Sequence, residues 1–267
     1  MKIVIPTYGR PEGKIDALEN GWIPQSFYKR VYVCIRRDVS EMERYKKITV
    51  DYPGVNLVPI DVPKDSGIPE KRDAICRHWM FENQKIWMMD DDIKIVPCHI
   101  TDEKDYVIKE KELSEESFYD LINYSIGLLE DMPFGVIATA TFVKGKDIFP
   151  IGLNRWGAFS SFINLEKLSA DDLGYTNVRY YEDIAAFCGA IKKGFNNFYI
   201  TKWQLVIGKE KEGGNASARK ADVMQEAAIA LNKLYPQHIR LVDMKEKTHN
   251  RKINLKVQPK GVPKHLK

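Results

Sequence analysis

Three consecutive carboxylates, Asp90-Asp91-Asp92, follow the apolar run Ile86-Trp87-Met88-Met89. Adjacent like charges repel unless something cationic holds them. In an extended segment side chains alternate, so Asp90 and Asp92 are expected on one face and Asp91 on the other. Two carboxylates on one face at a strand's C-terminal edge make a hard oxygen site suited to Mg²⁺ or Mn²⁺. Open α/β sheets bind their ligands at that same edge. The competing reading is an acidic turn solvated at the surface.

Three further groups have chemistry in their residue types. Pro6-Thr7-Tyr8-Gly9-Arg10-Pro11 offers a hydroxyl, a ring and a cation in a tight turn, able to hold a base and a phosphate, although turns are made of such residues anyway. Around Gly67 a short loop enters a helix whose free N–H groups favour an anion. Lys71 and Arg72 in that first turn oppose the helix dipole, which a bridging phosphate would relieve; the alternative is surface pairing with Glu70 or Asp73. Finally, Glu182-Asp183 opens a helix, where carboxylates commonly cap, or where one of them takes a proton from an acceptor hydroxyl.

The elements that must position these groups alternate as strands and helices, predicting an α/β fold with a parallel or mixed sheet. Strands are expected at 2–6, 32–35, 55–60 and 85–89, the last apolar enough to be buried on both faces. A short polar helix is expected over 40–49 and a longer one over 69–83, with Pro69 at its start. Ser114 is a candidate N-cap for a helix carrying Phe118, Leu121, Ile122, Ile126 and Leu129. Later strands are predicted at 134–143, 159–165 and from 198, helices at 184–193 and 221–234, and loops over 166–179 and 209–217. The last 25 residues show little periodicity. The expected division is 1–208 for the catalytic domain and 209–267 for a loop, a helix and a basic tail.

Composition is that of a globular protein: 44% hydrophobic and 29% charged over 267 residues, enough to bury a sizeable core. No apolar run reaches the roughly 18–20 residues that span a bilayer, so no membrane span is expected. Pro6 to Arg10 break the first apolar run before a signal-peptide core forms. Four separated cysteines (Cys34, Cys76, Cys98, Cys188) argue against structural zinc or a disulfide framework and fit a reducing cytoplasm. The net charge of +4 is uneven: 245–267 holds eight Lys or Arg and one acid (+7), leaving about −3 for the rest. Such a tail suits a polyanion such as nucleic acid, or simply keeps the protein in solution.

In order along the chain, P-T-Y-x-R, a Gly loop with Lys71-Arg72, Asp90-Asp91-Asp92 and Glu182-Asp183 resemble the GT-A (Rossmann-like) glycosyltransferases over roughly residues 1–205. The resemblance is closer to one branch of these, the phage glycosyltransferases associated with TET/JBP-type oxygenases and related to base J glucosyltransferases. The resemblance implies a DxD motif with Asp92 as ligand of Mn²⁺ or Mg²⁺, helped by Asp90 or Asp91. It implies a nucleotide-sugar donor, a UDP-sugar foremost, held by Pro6, Thr7, Tyr8, Arg10, Asp38, Gly67, Lys71, Arg72, Asp90 and Asp91. Asp183 is the implied catalytic base, with Glu182 next. The late metal-binding histidine of many such enzymes has no matching motif, so His238 and His249 stay unassigned.

The implied acceptor is a hydroxymethylated pyrimidine in DNA, with the basic tail and the 209–219 loop as phosphate contacts and Trp156 or Trp203 as stacking surfaces. No protein partner is evident. The competing functions are a GT-A transferase with a glycan or lipid acceptor and a non-catalytic nucleic-acid-binding domain. A nucleotidyltransferase is disfavoured, because 6–11 holds one glycine where a Gly-rich loop is expected.

Overall fold

The computed structural model describes residues 1–7, 10, 13–82, 84–97, 99–102, 105–107, 113–139, 151–158, 160–207, 221–243 and 253–257. In chain order the strands and helices are β1 (Lys2–Pro6), α1 (Asp16–Glu19), β2 (Val31–Arg36), α2 (Val39–Tyr45), α3 (Ile48–Asp51), β3 (Asn56–Ile60), α4 (Ile68–Met80) and β4 (Lys85–Met89). There follow β5 (Ile93–Pro97), β6 (His99–Asp102), β7 (Asp105–Val107), α5 (Glu115–Asp131), β8 (Phe134–Thr139), β9 (Ile151–Leu153) and β10 (Ser160–Asn164). The last are α6 (Ala170–Leu173), α7 (Glu182–Lys192), β11 (Asn197–Ile207), α8 (Ala221–Leu234), β12 (Ile239–Asp243) and β13 (Ile253–Val257).

Eight strands run in the order β3-β2-β1-β4-β10-β8-β11-β5, and β9 pairs with β11 to complete a nine-stranded sheet. β1, β2, β3 and β4 are mutually parallel, and β8 is parallel to β11; β10, β5 and β9 run against their neighbours. The α/β fold with a mixed sheet is therefore as the sequence predicts. Both faces are covered. Val4, Ile86 and Met88 join Ile75, Ala186 and Leu231 in one apolar cluster, beside α4, α7 and α8. Their strand neighbours Ile3, Ile5, Trp87 and Met89 join Phe118, Leu121 and Leu129 of α5 in the other. Burial on both faces is what made 85–89 a continuous apolar run.

Two features of this sheet position the site. From β1 the chain builds outward through β2 to β3, then returns by α4 to place β4 on the other side of β1. The reversal opens a crevice at the C-terminal ends of β1 and β4, the usual ligand edge of such sheets. Next, only three residues link β4 to β5, and four Cα steps reach roughly 13 Å. Four strand spacings of about 4.8 Å separate these strands in the sheet order. β5 must therefore fold back toward the end of β4, and β11 permits this through its register shift between Ile200 and Gln204.

Some expected boundaries move. The 40–49 helix is two short helices, α2 and α3. The predicted loop 166–179 contains α6 and a 3-10 turn at Tyr175–Asn177, because Ser169 and Asp172 form a reciprocal capping box. The C-terminal segment, expected to lack periodicity, pairs β13 with β12 in a hairpin. α8 matches its predicted span, and its Ala227 and Leu231 share the apolar cluster of α7. No helix among the described residues is long and apolar enough to cross a membrane.

Candidate active site

The structure explains the acidic triplet through strand alternation and then its failure. Met88 faces α4 and α7, and Met89 faces the opposite layer. Asp90 continues on the α4 side, where Arg72 Nη2 donates to its Oδ1 at 2.7 Å. Asp91 continues on the other side, and its backbone oxygen accepts from the Ala17 N–H of α1 at 3.1 Å. The strand has ended by then, and the chain turns. Asp92 therefore does not return to the face of Asp90 as expected. Arg10 holds it instead: Nη2 reaches Asp92 Oδ2 at 3.0 Å, while Nε donates to Asp91 Oδ2 at 2.8 Å and Nη2 also pairs with Asp91 Oδ1.

Arg72 is the second organising cation. Only 4% of its side chain is exposed; α4 begins at Ile68, so Arg72 lies just past the first turn, in which it was expected. It bonds Asp90, pairs with Asp183, and lies 3.5 Å from Glu182 Oε1. A helix start, a strand end and a second helix start are thereby fastened by one guanidinium. Its Nε is buried without a hydrogen-bond partner. The sequence alternative of pairing with Glu70 or Asp73 does not occur: Glu70 accepts from the Gly67 N–H at 2.8 Å, and Asp73 pairs with Arg77. Gly67 thus serves as the N-cap of α4. Lys71 is also buried and donates to the Thr7 carbonyl at the end of β1. Burial pushes its ammonium down to about 8, partly offset by Glu41.

The placement of Glu182 and Asp183 depends on strain. Tyr181, which precedes them, has φ 66° and ψ 30°, a left-handed conformation costly for a bulky residue. Its ring packs edge-on against Tyr180 with centroids 4.6 Å apart. Further along α7, a Cβ on Gly189 would lie 2.1 Å from the Asp172 carbonyl, so a glycine there lets α7 settle against α6.

Crowding shows in the electrostatics. Loss of solvent pushes the Asp90 carboxyl up to about 7; Arg72 opposes the shift, and Asp183, Asp92 and Asp91 add to it. Burial, followed by the charge of Asp183, raises Glu182 as well. Asp91 is raised by burial against the pull of Arg10.

Other expected residues lie elsewhere or apart. Pro6 is buried at the end of β1, in register with Cys34. Asp38 sits beyond β2 as the N-cap of α2, accepting from the Glu41 N–H and from Ser40, and is held low by those bonds and by Arg36. Trp203 is 1% exposed with its Nε1 on Ser117 Oγ, a core position closed to stacking. Tyr8, Cys98, His249 and the 209–219 loop lie outside the described residues. Sequence reasoning missed that the two arginines pair with the carboxylates; only the opposed helix dipole at Lys71-Arg72 hinted at it.

Hard carboxylate oxygens with mutual repulsion are chemically suited to a divalent cation. Yet among the described residues no group of three or more His, Cys, Asp or Glu is placed to hold one, since the arginines intervene.

The class is thus a doubly covered α/β sheet with an acidic, arginine-braced crevice at its switch point. The chain is 28% identical over 255 residues to the beta-glucosyl-HMC-alpha-glucosyl-transferases of Enterobacteria phages T2 and T6, covering 90% of this chain and 83% of each relative. The expected likeness to phage DNA-modifying glycosyltransferases is found in these two. No protein-family model matches the chain. Among solved structures it is similar to S. aureus TarS 1–349, at 12% identity and TM-score 0.48, covering 87% of this chain and 66% of that one.

Proposed function

We propose that the chain is a glycosyltransferase moving a sugar from a nucleoside-diphosphate sugar to a hydroxyl on a hydroxymethylated pyrimidine in DNA. The observation that carries this reading is the likeness along 90% of the chain to two enzymes named for glucosyl transfer onto a glucosylated HMC base. The site geometry supports it: of the residues expected to serve donor and base, Arg10, Arg72, Asp90, Asp91, Asp92 and Asp183 meet at one edge although 173 positions separate Arg10 from Asp183. By analogy with those relatives, the acceptor hydroxyl belongs to a glucose already attached to the base.

In this reading the acceptor oxygen bonds to the sugar's anomeric carbon, the bond from that carbon to the diphosphate breaks, and the acceptor proton leaves to a base. Asp183, with Glu182 beside it, takes that proton, a contribution of typically 10²–10⁴-fold. Lys71 and Arg10 stand where β1 ends and supply positive charge toward the leaving diphosphate. Asp92, which turns away from Asp90 toward Arg10, would be the ligand of Mn²⁺ or Mg²⁺, which when bound supplies Lewis-acid stabilisation of that leaving group; Asp90 would join it only on release from Arg72. Arg72 keeps Asp90 and Asp183 within one guanidinium of each other. A target base inside a duplex must be flipped or otherwise exposed to reach such a crevice.

The test is incubation with radiolabelled UDP-sugars and duplex DNA containing cytosine, hydroxymethylcytosine or β-glucosylated hydroxymethylcytosine, with and without Mn²⁺. Label entering modified DNA only, and only with metal, is expected. Label in none of the DNAs under any donor would overturn the reading.

A further inference from the structure

We infer that the outward face of the β12–β13 hairpin, through Arg240 and Lys256, binds phosphates of the acceptor DNA duplex. This rests on the DNA-acceptor reading above.

The hairpin has two unlike sides. In the antiparallel register Ile239 faces Val257 and Leu241 faces Leu255, and this side is turned inward: Ile239 is buried, and Leu255 and Val257 pack on the cluster containing Ala227 and Leu231. The strands are tied to α8 by polar bonds too, from Asn232 Nδ2 to the Ile239 carbonyl at 2.7 Å and from the Ile253 N–H to Gln225 Oε1 at 3.3 Å. Alternation then forces Arg240 and Lys256 outward, directly opposite one another, and both are exposed. Like charges on directly opposed residues of a strand pair are destabilising. Neither forms an ion pair with a described residue. A nearby acid exists in Asp243, but its row is that of Ile239 and Leu241, the other side of the hairpin.

Two cations held in opposition on a docked ribbon make a phosphate-binding surface, because a polyanion removes their repulsion and the backbone that carries them is already ordered. The sequence agrees: residues 251–267, which contain β13, hold six Lys or Arg and no acid. The same apolar cluster that anchors the hairpin also takes in Tyr180 and Tyr181, next to Glu182 and Asp183. DNA seated on this ribbon is thus held by the layer that carries the proposed base.

The experiment compares wild type with Arg240→Gln/Lys256→Gln and Arg240→Glu/Lys256→Glu, all as the full chain. Binding to a β-glucosylated hydroxymethylcytosine duplex is measured by fluorescence anisotropy from 50 to 200 mM salt, beside sugar transfer to that duplex and to the corresponding free nucleoside. Each phosphate contact contributes about 0.9 to the salt slope, so losing two removes roughly a twelvefold change in affinity across that range. The Gln variant is expected to show that shallower slope, the Glu variant a weaker affinity still, and both an unaltered rate on the nucleoside. An unchanged slope and affinity overturn the inference, as does an equal loss on nucleoside and DNA. Failure of the function reading itself looks different: wild type then transfers sugar to neither acceptor.

Discussion

Two arginines brace the acidic crevice, and they do so in opposite ways. Arg10 gives its fork to Asp91 and one further nitrogen contact to Asp92, so one guanidinium serves two adjacent residues in a single turn. Arg72 spreads over Asp90, Asp183 and Glu182, three carboxylates from two separate elements. The first group is geometrically satisfied and tied down by the backbone bond from Ala17 to Asp91. The second has the more deeply buried guanidinium and crowds three carboxylates around it. The triplet is therefore divided. Asp91 builds the turn, Asp90 belongs to the Arg72 group, and Asp92 stands at the border with 23% of its side chain exposed.

The sharpest test of that division is Asp92→Ala. With Asp92 as the metal ligand, transfer should fall at least about 10³-fold, because Lewis-acid stabilisation amounts to several kcal/mol. The fold should survive, since among the described residues the one ion pair of Asp92 is with Arg10. Initial rates, together with the thermal shift on adding Mn²⁺, read this out; wild-type rates in the variant would remove Asp92 from the metal site.

Arg72→Gln attacks the other group and should act on stability as well. Removing the guanidinium that pairs with three crowded carboxylates should cost about 3–5 kcal/mol in denaturant unfolding. Adding Asp90→Asn should recover part of the loss through relieved repulsion. A cost below about 1 kcal/mol would mean that the Arg72 group is open to water and not a buried brace. Asp91→Asn should cost less, about 1–3 kcal/mol, from the lost charged hydrogen bonds to Arg10. It should also leave far more transfer activity than Asp92→Ala. Equal inactivation by Asp91→Asn in a stable protein would erase the distinction between the two residues.

What the sequence revealed and what it hid follow the same physical line. β1, β4 and α8 were legible to the residue, because uninterrupted apolar runs and helical spacing are local signals. The Ser114 cap was legible too, and its hydroxyl accepts from the Ser117 N–H at 3.1 Å. Ser169-Ala170-Asp171-Asp172 carried an equally local capping signal that was passed over. β13 was hidden because lysines crowd its apolar alternation, and its partner positions lie ten residues or more upstream. The pairing of Arg72 with Asp183 spans 111 positions and leaves no trace in spacing. The turn that sends Asp92 to Arg10 was equally invisible, since it depends on where β4 stops.

The smallest expected effect concerns protons. Asp90 is pushed up to about 7, first by burial and then by the neighbouring carboxylates, so in the metal-free protein it binds its proton more tightly folded than unfolded. Such a group adds stability at acid pH and gives it up as pH climbs from about 4 through about 7. The Arg10 group lacks an equivalent three-carboxylate crowd, so the slope should trace chiefly to the Arg72 side. Relative to Asp90→Asn, wild type should lose on the order of 1 kcal/mol across that window, the partial exposure of the carboxyl keeping the figure modest. Urea unfolding at half-unit pH steps measures it. Mn²⁺ competes with the proton for the same oxygen, so saturating metal should flatten the wild-type slope. Parallel curves for wild type and Asp90→Asn, with or without Mn²⁺, would place the charge crowding elsewhere than on the Arg72 side of the triplet.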